Sequence, residues 1–187
     1  MWYVIQTTTG KEEELTAVIK KRLSDILFHA CFFMQRKHLK RLGGQWREIT
    51  ETLFPAYVFL DTDCPETVFY ELKKVPEFAK LLGDNCGTYI PLEPEETDFL
   101  KKLIPGDGSY QTELTTVRFD STGKPAGFQG PLSFFEDRIL KLNLRKRYAL
   151  IELTICGQKR TAMLGIRLES DGKAEGTSER NQAGGED

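Results

Sequence analysis

Residues Tyr148 to Ile155 read YALIELTI, with Ala149, Ile151, Leu153 and Ile155 alternating with Tyr148, Leu150, Glu152 and Thr154. Only an extended strand places every second side chain on one side, so this period of two dictates a strand with one wholly apolar face. Such a face needs a core and strand neighbours. Arg138 to Leu142 lies before it, across the connection Asn143-Leu144-Arg145-Lys146. Gly157-Gln158 turns the chain into Arg160 to Leu164, and Ile166-Arg167-Leu168 follows. Val117-Arg118-Phe119 precedes a loop crowded with Gly123, Gly127, Gly130 and Pro131. Five short strands within about 50 residues predict a small β-barrel over 117–169.

The N-terminal half has another rhythm. Trp2 to Gln6 reads as a strand, and Thr9-Gly10-Lys11-Glu12 fits a capping box with Thr9 as N-cap. Leu15, Val18, Ile19, Leu23 and Ile26 then recur at helical spacing. Cys31 to Met34 is a strand running into the basic stretch Gln35 to Arg41, Gly43-Gly44 is a turn, and Trp46 to Leu53 returns toward the strand Tyr57 to Leu60. Asp63-Cys64-Pro65 opens a second helix with Val68, Phe69 and Leu72 buried, ended by Val75-Pro76. Phe78 to Leu82 is ambiguous. Tyr89 to Leu92 reads as an edge strand, and Pro94 to Ile104 as a third helix whose glutamates suit the helix dipole. The order predicts an α+β domain over 1–104, a split βαβ unit with helices on a mainly antiparallel sheet. A linker is expected over 105–116, of about a dozen residues and about 20 Å r.m.s. span. The tail 170–187 lacks aromatic and branched aliphatic residues and is expected to be disordered.

At 187 residues the chain is long enough for one or two small domains. No apolar run approaches the roughly 20 residues that span a bilayer, and the start has neither the basic lead nor the cleavage site of a signal peptide. Cys31, Cys64, Cys86 and Cys156 are far apart, as suits reduced thiols in a cytosol. Net charge is −2, unevenly spread. Residues 116–169 hold 10 basic and 5 acidic side chains, whereas 1–115 hold 14 and 18. A basic segment in an acidic chain suits a polyanionic partner, and a solvated basic surface suits the same counts.

MWYVIQTTTGKEEE, TETLFPAYVFL and the pattern Gly130-Pro131-Leu132, Glu136, an Arg-rich turn and Ala149 resemble the NusG family of transcription elongation factors, over nearly all of 1–169. The Met1-Trp2 start, the TGKEEE helix start and the TETLFPAYVFL block look most like its specialised LoaP branch of antiterminators. The resemblance implies a NusG N-terminal (NGN) domain over 1–104 and an SH3-like KOW barrel over 117–169. It implies a cytoplasmic, monomeric factor with no membrane contact and no cofactor. The NGN domain would grip the polymerase clamp helices, and the KOW domain a structured leader element in nascent RNA. The alternatives are a housekeeping NusG that joins polymerase to a termination factor or ribosome, and a KOW-type RNA-binding module without polymerase. The pattern departs at Phe134, where glycine is expected. The loop is then either repacked or strained, or it offers Phe134 as a surface platform for a nucleobase.

No catalytic constellation is legible. His29 near Cys31 lacks an orienting third group, no phosphate-binding glycine motif is present, and Glu93, Glu95, Glu96 and Asp98 are explained by a helix start. No enzyme and no metal site are expected. Phe54 and Pro55 stand at the mouth of the Tyr57 to Leu60 strand. From the residues alone Phe54 is equally an interface anchor or a cover for its own core; the resemblance favours the anchor, with Tyr3, Phe54, Pro55 and Tyr57 facing polymerase. For RNA the candidates are Lys141, Arg145, Lys146 and Arg147 at one hairpin end, with Lys159 and Arg160 on the next strand. The arm with Arg36, Lys37, Lys40 and Arg41 suits upstream DNA, nascent RNA or plain solvation.

Overall fold

The computed structural model describes residues 1–76, 78 and 89–171. Cys86, most of the ambiguous stretch Phe78 to Leu82 and nearly all of the tail lie outside them. The first sheet is antiparallel, in the order β2-β5-β1-β6, with β1 Trp2–Gln6, β2 Ala30–Phe32, β5 Tyr57–Asp61 and β6 Tyr89–Pro91. Its central strands are buried on both faces, which is why they read as unbroken apolar runs. On one face Ile5, Cys31, Val58 and Leu60 meet Leu15 and Ile19 of helix α1 (Glu12–Arg22) and Val68, Phe69 and Leu72 of helix α2 (Pro65–Lys73). On the other, Trp2, Val4, Phe32 and Phe59 form an aromatic layer, with Trp2 edge-on to Phe32 at 5.0 Å and Phe32 stacked on Phe59 at 5.5 Å.

Two expectations about the first helix are corrected. It begins at Glu12 after Lys11, and no side chain caps it. The Glu12 carboxylate turns inward instead, accepting the N–H groups of Gly10 and Ala56. The helix also stops at Arg22, so Ile26, expected on its apolar face, is 91 % exposed.

The hairpin reads true. β3 (Gln35–Leu42) and β4 (Gln45–Thr52) pair antiparallel around Gly43-Gly44, whose φ angles of 58° and 85° favour glycine. Helix α3 (Pro94–Leu103) carries a reciprocal capping box between Glu93 and Glu96. The segment expected as a loose linker is tied down. Tyr110 stacks on Phe32 at 3.6 Å, and the short strand β7 (Gln111–Thr112) pairs parallel to β3.

The C-terminal half holds β8 (Thr115–Phe119), β9 (Pro125–Gln129), β10 (Ile139–Asn143), β11 (Tyr148–Ile155) and β12 (Gln158–Leu168), paired in the order β10-β11-β12-β8-β9. The strand count matches the expectation but the members differ. The stretches expected at 160–164 and 166–168 are one 11-residue strand, and the fifth strand comes from the glycine-bearing loop at 125–129. Gly127 there pairs with Arg118 across the ladder. A half-barrel is consistent with this sheet. Its apolar face continues the core of the first half: Ala149, Ile151, Leu153, Ile155, Leu164 and Ile166 belong to one cluster with Trp2, Phe54, Phe59 and Leu100. Where β12 crosses β3 the backbones nearly touch. A Cβ on Gly165 would lie 2.2 Å from the Lys37 carbonyl oxygen.

Candidate functional site

The β10–β11 turn is closed by its own side chains. The Asn143 side-chain oxygen accepts the Lys146 N–H at 2.9 Å, and Arg147 adopts φ 58°. The Arg147 guanidinium does not face solvent. It grips both oxygens of Asp171 at 2.7 and 2.6 Å, donates to the Leu144 carbonyl, and lies over the Trp46 ring of the β3–β4 hairpin at 4.9 Å. Only 13 % of its side chain is exposed. Burial would raise the Asp171 pKa, but the Arg147 hydrogen bonds, the Leu168 N–H and the charges of Arg147 and Arg167 outweigh it and hold the carboxyl below the usual range. Arg147, expected among the phosphate contacts, is placed between Asp171 and the Trp46 ring and so links the two halves. Arg145, Lys146 and Lys141 are exposed, and no carboxylate pairs with them among the described residues.

Lys159 and Arg160 lie elsewhere. In the β11–β12 ladder Tyr148 pairs with Gly165 and Ile155 with Gln158, so these two cations sit at the far end of the strand pair. Seven residues of strand separate the ends, roughly 23 Å. Lys159 pairs with Glu152 at 2.8 Å, and Arg160 hydrogen-bonds Gln158 and lies over the Tyr57 ring at 5.8 Å. The expected six-residue cationic group is therefore divided.

The residues expected to face polymerase are divided too. Tyr3 is buried on the helix-covered face, edge-on to Phe69 and Tyr89 at 6.4 and 6.1 Å. Phe54 is 5 % exposed, edge-on to Phe59 at 6.2 Å, in the core shared with the second half. Tyr57 is buried and Pro55 exposed. A groove of about 370 Å³ runs along this corner, lined by Leu53, Phe54, Pro55 and Tyr57 on one side and Arg160 and Thr161 on the other. Read from the residues, Phe54 covers its own core edge, as the blander alternative has it. The corner is held by Glu12, because the turn sets Ala56 at φ 70° and leaves its N–H pointing inward.

The basic hairpin arm is half consumed by packing. Arg36 donates to Glu51 at 3.1 Å and to the Met163 carbonyl of β12 at 3.2 Å. Lys37 bridges Glu113 at 2.9 Å and Glu48 at 3.5 Å, and Arg167 reaches Glu48 at 3.1 Å. Burial would raise the Glu51 pKa, but Arg36 and His38 beside it outweigh that and lower it. Lys40, Arg41 and Arg47 remain exposed at the tip. Phe134 lies in a 3-10 turn, Pro131–Phe134, without positive φ and 59 % exposed, so the loop is repacked without strain and the aromatic also faces solvent.

Burial pushes the Cys31 thiol up to about 12, which disposes of a His29–Cys31 nucleophile; His29 pairs with Asp63 at 2.7 Å instead. Among the described residues no group of His, Cys, Asp and Glu is placed to hold a metal, and no helix is long and apolar enough to cross a membrane. Sequence reasoning missed Trp46, Glu96 and Asp171. Glu96 joins the halves, taking the Gly157 N–H at 2.9 Å while closing its own capping box. Trp46, a large aromatic in a polar hairpin tip, was the one available signal.

Residues 1–101 match the family model described as transcription termination factor NusG. The transcription termination/antitermination protein NusG of Thermus thermophilus is 23 % identical over 168 residues, covering 84 % of this chain and 91 % of that one. The protein of the same description from Halalkalibacterium halodurans is 21 % identical over 165 residues, covering 84 % and 90 %. Among solved structures, Thermotoga maritima NusG is similar at 20 % identity with a TM-score of 0.43, covering 88 % of this chain and 92 % of that one.

Proposed function

The chain belongs to the NusG family of transcription termination/antitermination factors, and from that premise we propose that it is an antiterminator of the LoaP type. It binds RNA polymerase through its first half and nascent RNA through its second, and it promotes read-through of terminators. The observation that carries the RNA reading is the β10–β11 turn. The Asn143 side chain ties its backbone, and it holds out Arg145 and Lys146, exposed and with no carboxylate partner among the described residues. Exposed cations presented side by side on a turn suit phosphate.

The polymerase surface lies around the Leu53–Tyr57 corner. Pro55 and the groove beside it are open, while Phe54 is buried in the core behind them. The mechanism is mechanical. A factor bridging the polymerase cleft favours the closed, elongating state over the paused one, and a difference of about 1.4 kcal/mol in its affinity for the two states shifts their ratio tenfold. RNA held by the second half raises the local concentration of the first half near polymerase.

Reconstituted transcription through a leader and terminator tests this. Full-length protein should retain core polymerase in a pull-down and raise read-through, the latter only with its own leader RNA. Polymerase binding with leader-independent effects would identify a housekeeping NusG instead. RNA binding without polymerase retention would identify a stand-alone RNA-binding module.

A further inference from the structure

Two basic elements far apart in sequence meet at one end of the molecule. The tip of the β3–β4 hairpin carries Lys40, Arg41 and Arg47, and the β10–β11 turn carries Arg145 and Lys146. Trp46 joins them. It pairs directly across the ladder with Arg41, sharing its face, and its ring receives the Arg147 guanidinium at 4.9 Å. Arg145 and Lys146 are the two residues just before Arg147, so they emerge beside the hairpin tip.

The charges there are not balanced. Lys40 lies directly opposite Arg47, a like-charge pair that weakens a ladder. Neighbouring acids are already engaged: Glu48 with Lys37 and Arg167, Glu51 with Arg36 and His38, Glu113 with Lys37, and Asp171 with Arg147. Arg41 donates only to the Gly44 carbonyl, and no carboxylate pairs with Lys40, Arg47, Arg145 or Lys146 among the described residues. Five exposed cations thus share one end of the protein, where Glu48, Glu51, Glu113 and Asp171 are each already engaged by other basic side chains.

We propose that the hairpin tip and the β10–β11 turn form one composite phosphate-binding surface for an RNA stem, with Arg41, Arg145 and Lys146 at its centre. Lys40 and Arg47, on the other face of the two-stranded ribbon, add to the positive field at its tip. The proposal rests on the RNA-binding reading above and deepens it, since the RNA site then belongs to neither half alone. Arg147, Trp46 and Asp171 are positioning residues that set the two prongs side by side.

The test uses the full chain and an RNA stem-loop of about one helical turn, with affinities measured across a salt series. Lys40→Ser/Arg41→Ser/Arg47→Ser is compared with Arg145→Ser/Lys146→Ser and with the two combined. All five side chains are exposed, so melting temperatures should stay near wild type. Each lost phosphate contact lowers the salt slope by about 0.7 to 0.9. The hairpin variant should lose at least about one unit of slope, the turn variant about 1.5, and the combined variant about their sum. If the hairpin variant keeps wild-type affinity and slope while the turn variant loses both, the site is confined to the second half. The composite surface is then overturned while the RNA-binding function stands. If the wild type does not bind the stem, both fall. Equal binding of a DNA duplex of the same length through the same residues overturns the assignment to RNA.

Discussion

The Glu12 carboxylate accepts the Ala56 N–H at 2.7 Å, across 44 residues of sequence. Glu12 is 4 % exposed, and Ala56 sits at φ 70°, where a side chain is rarely accommodated. The pair holds the turn that delivers Leu53 and Phe54 to the core and starts β5. Glu12→Ala leaves two inward-facing N–H groups without their acceptor and should cost about 2 kcal/mol of stability, whereas Glu12→Gln, which keeps an acceptor oxygen, should cost less. Ala56→Gly relieves the left-handed conformation and should be neutral or stabilising by up to about 1 kcal/mol. Denaturant melts of the three variants decide this. A stabilised Glu12→Ala would mean that the turn is held by packing alone.

Phe54→Ala should behave as a core truncation. With the ring buried against Phe59, the loss is about 3 to 5 kcal/mol. Pro55→Ala, at an exposed position beside it, should change stability by less than about 1 kcal/mol. Polymerase binding per folded molecule is then read cleanly from Pro55→Ala. A Phe54→Ala protein that melts like wild type would return this ring to the surface.

Asp171 supplies a pH signature. Its carboxyl is held below the ordinary range by Arg147, so the folded protein binds that proton less tightly than the unfolded chain. The stabilisation is complete at neutral pH, above the unfolded value of about 3.9, and is lost as pH falls through that value toward the folded one. Asp171→Asn should therefore cost about 1 to 3 kcal/mol at pH 7. The gap from wild type should narrow progressively as pH falls below the unfolded value. A gap independent of pH would show that the charge on Asp171 contributes nothing. Arg147→Ser should show a similar stability loss, unlike Arg145→Ser.

Gly165→Ala probes the seam between the halves. The added methyl would stand 2.2 Å from the Lys37 carbonyl oxygen and 2.7 Å from the His38 Cα, backbone atoms that cannot swing aside. The expected result is loss of several kcal/mol, or separation of the halves seen as a larger radius of gyration in solution scattering. Gly127→Ala, which meets open space, is the control and should change little. A compact, undestabilised Gly165→Ala would show that β12 and β3 are not held this closely.

Much of this architecture was legible from local pattern. The period-two face of β11, the unbroken apolar runs of the first sheet, the Gly43-Gly44 turn, Pro65 at a helix start and the acidic start of α3 all depend on residues within a few positions of one another. Steric and dipolar preferences act at that range, so sequence alone determined which segments are strands and helices and which faces seek a core. The basic character of the second half was equally plain. What those charges do was not. Whether Arg147 meets phosphate or Asp171, whether Phe54 faces a partner or Phe59, and whether Lys159 stands beside Lys146 or at the other end of β11 are long-range matters. They depend on how two apolar faces stack and on which strand lies against β3. The same holds for the linker, drawn in by Tyr110 stacking on Phe32. Local propensity is silent there, because burial of a shared core sets how the segments stack and each side chain then takes the partner that packing brings.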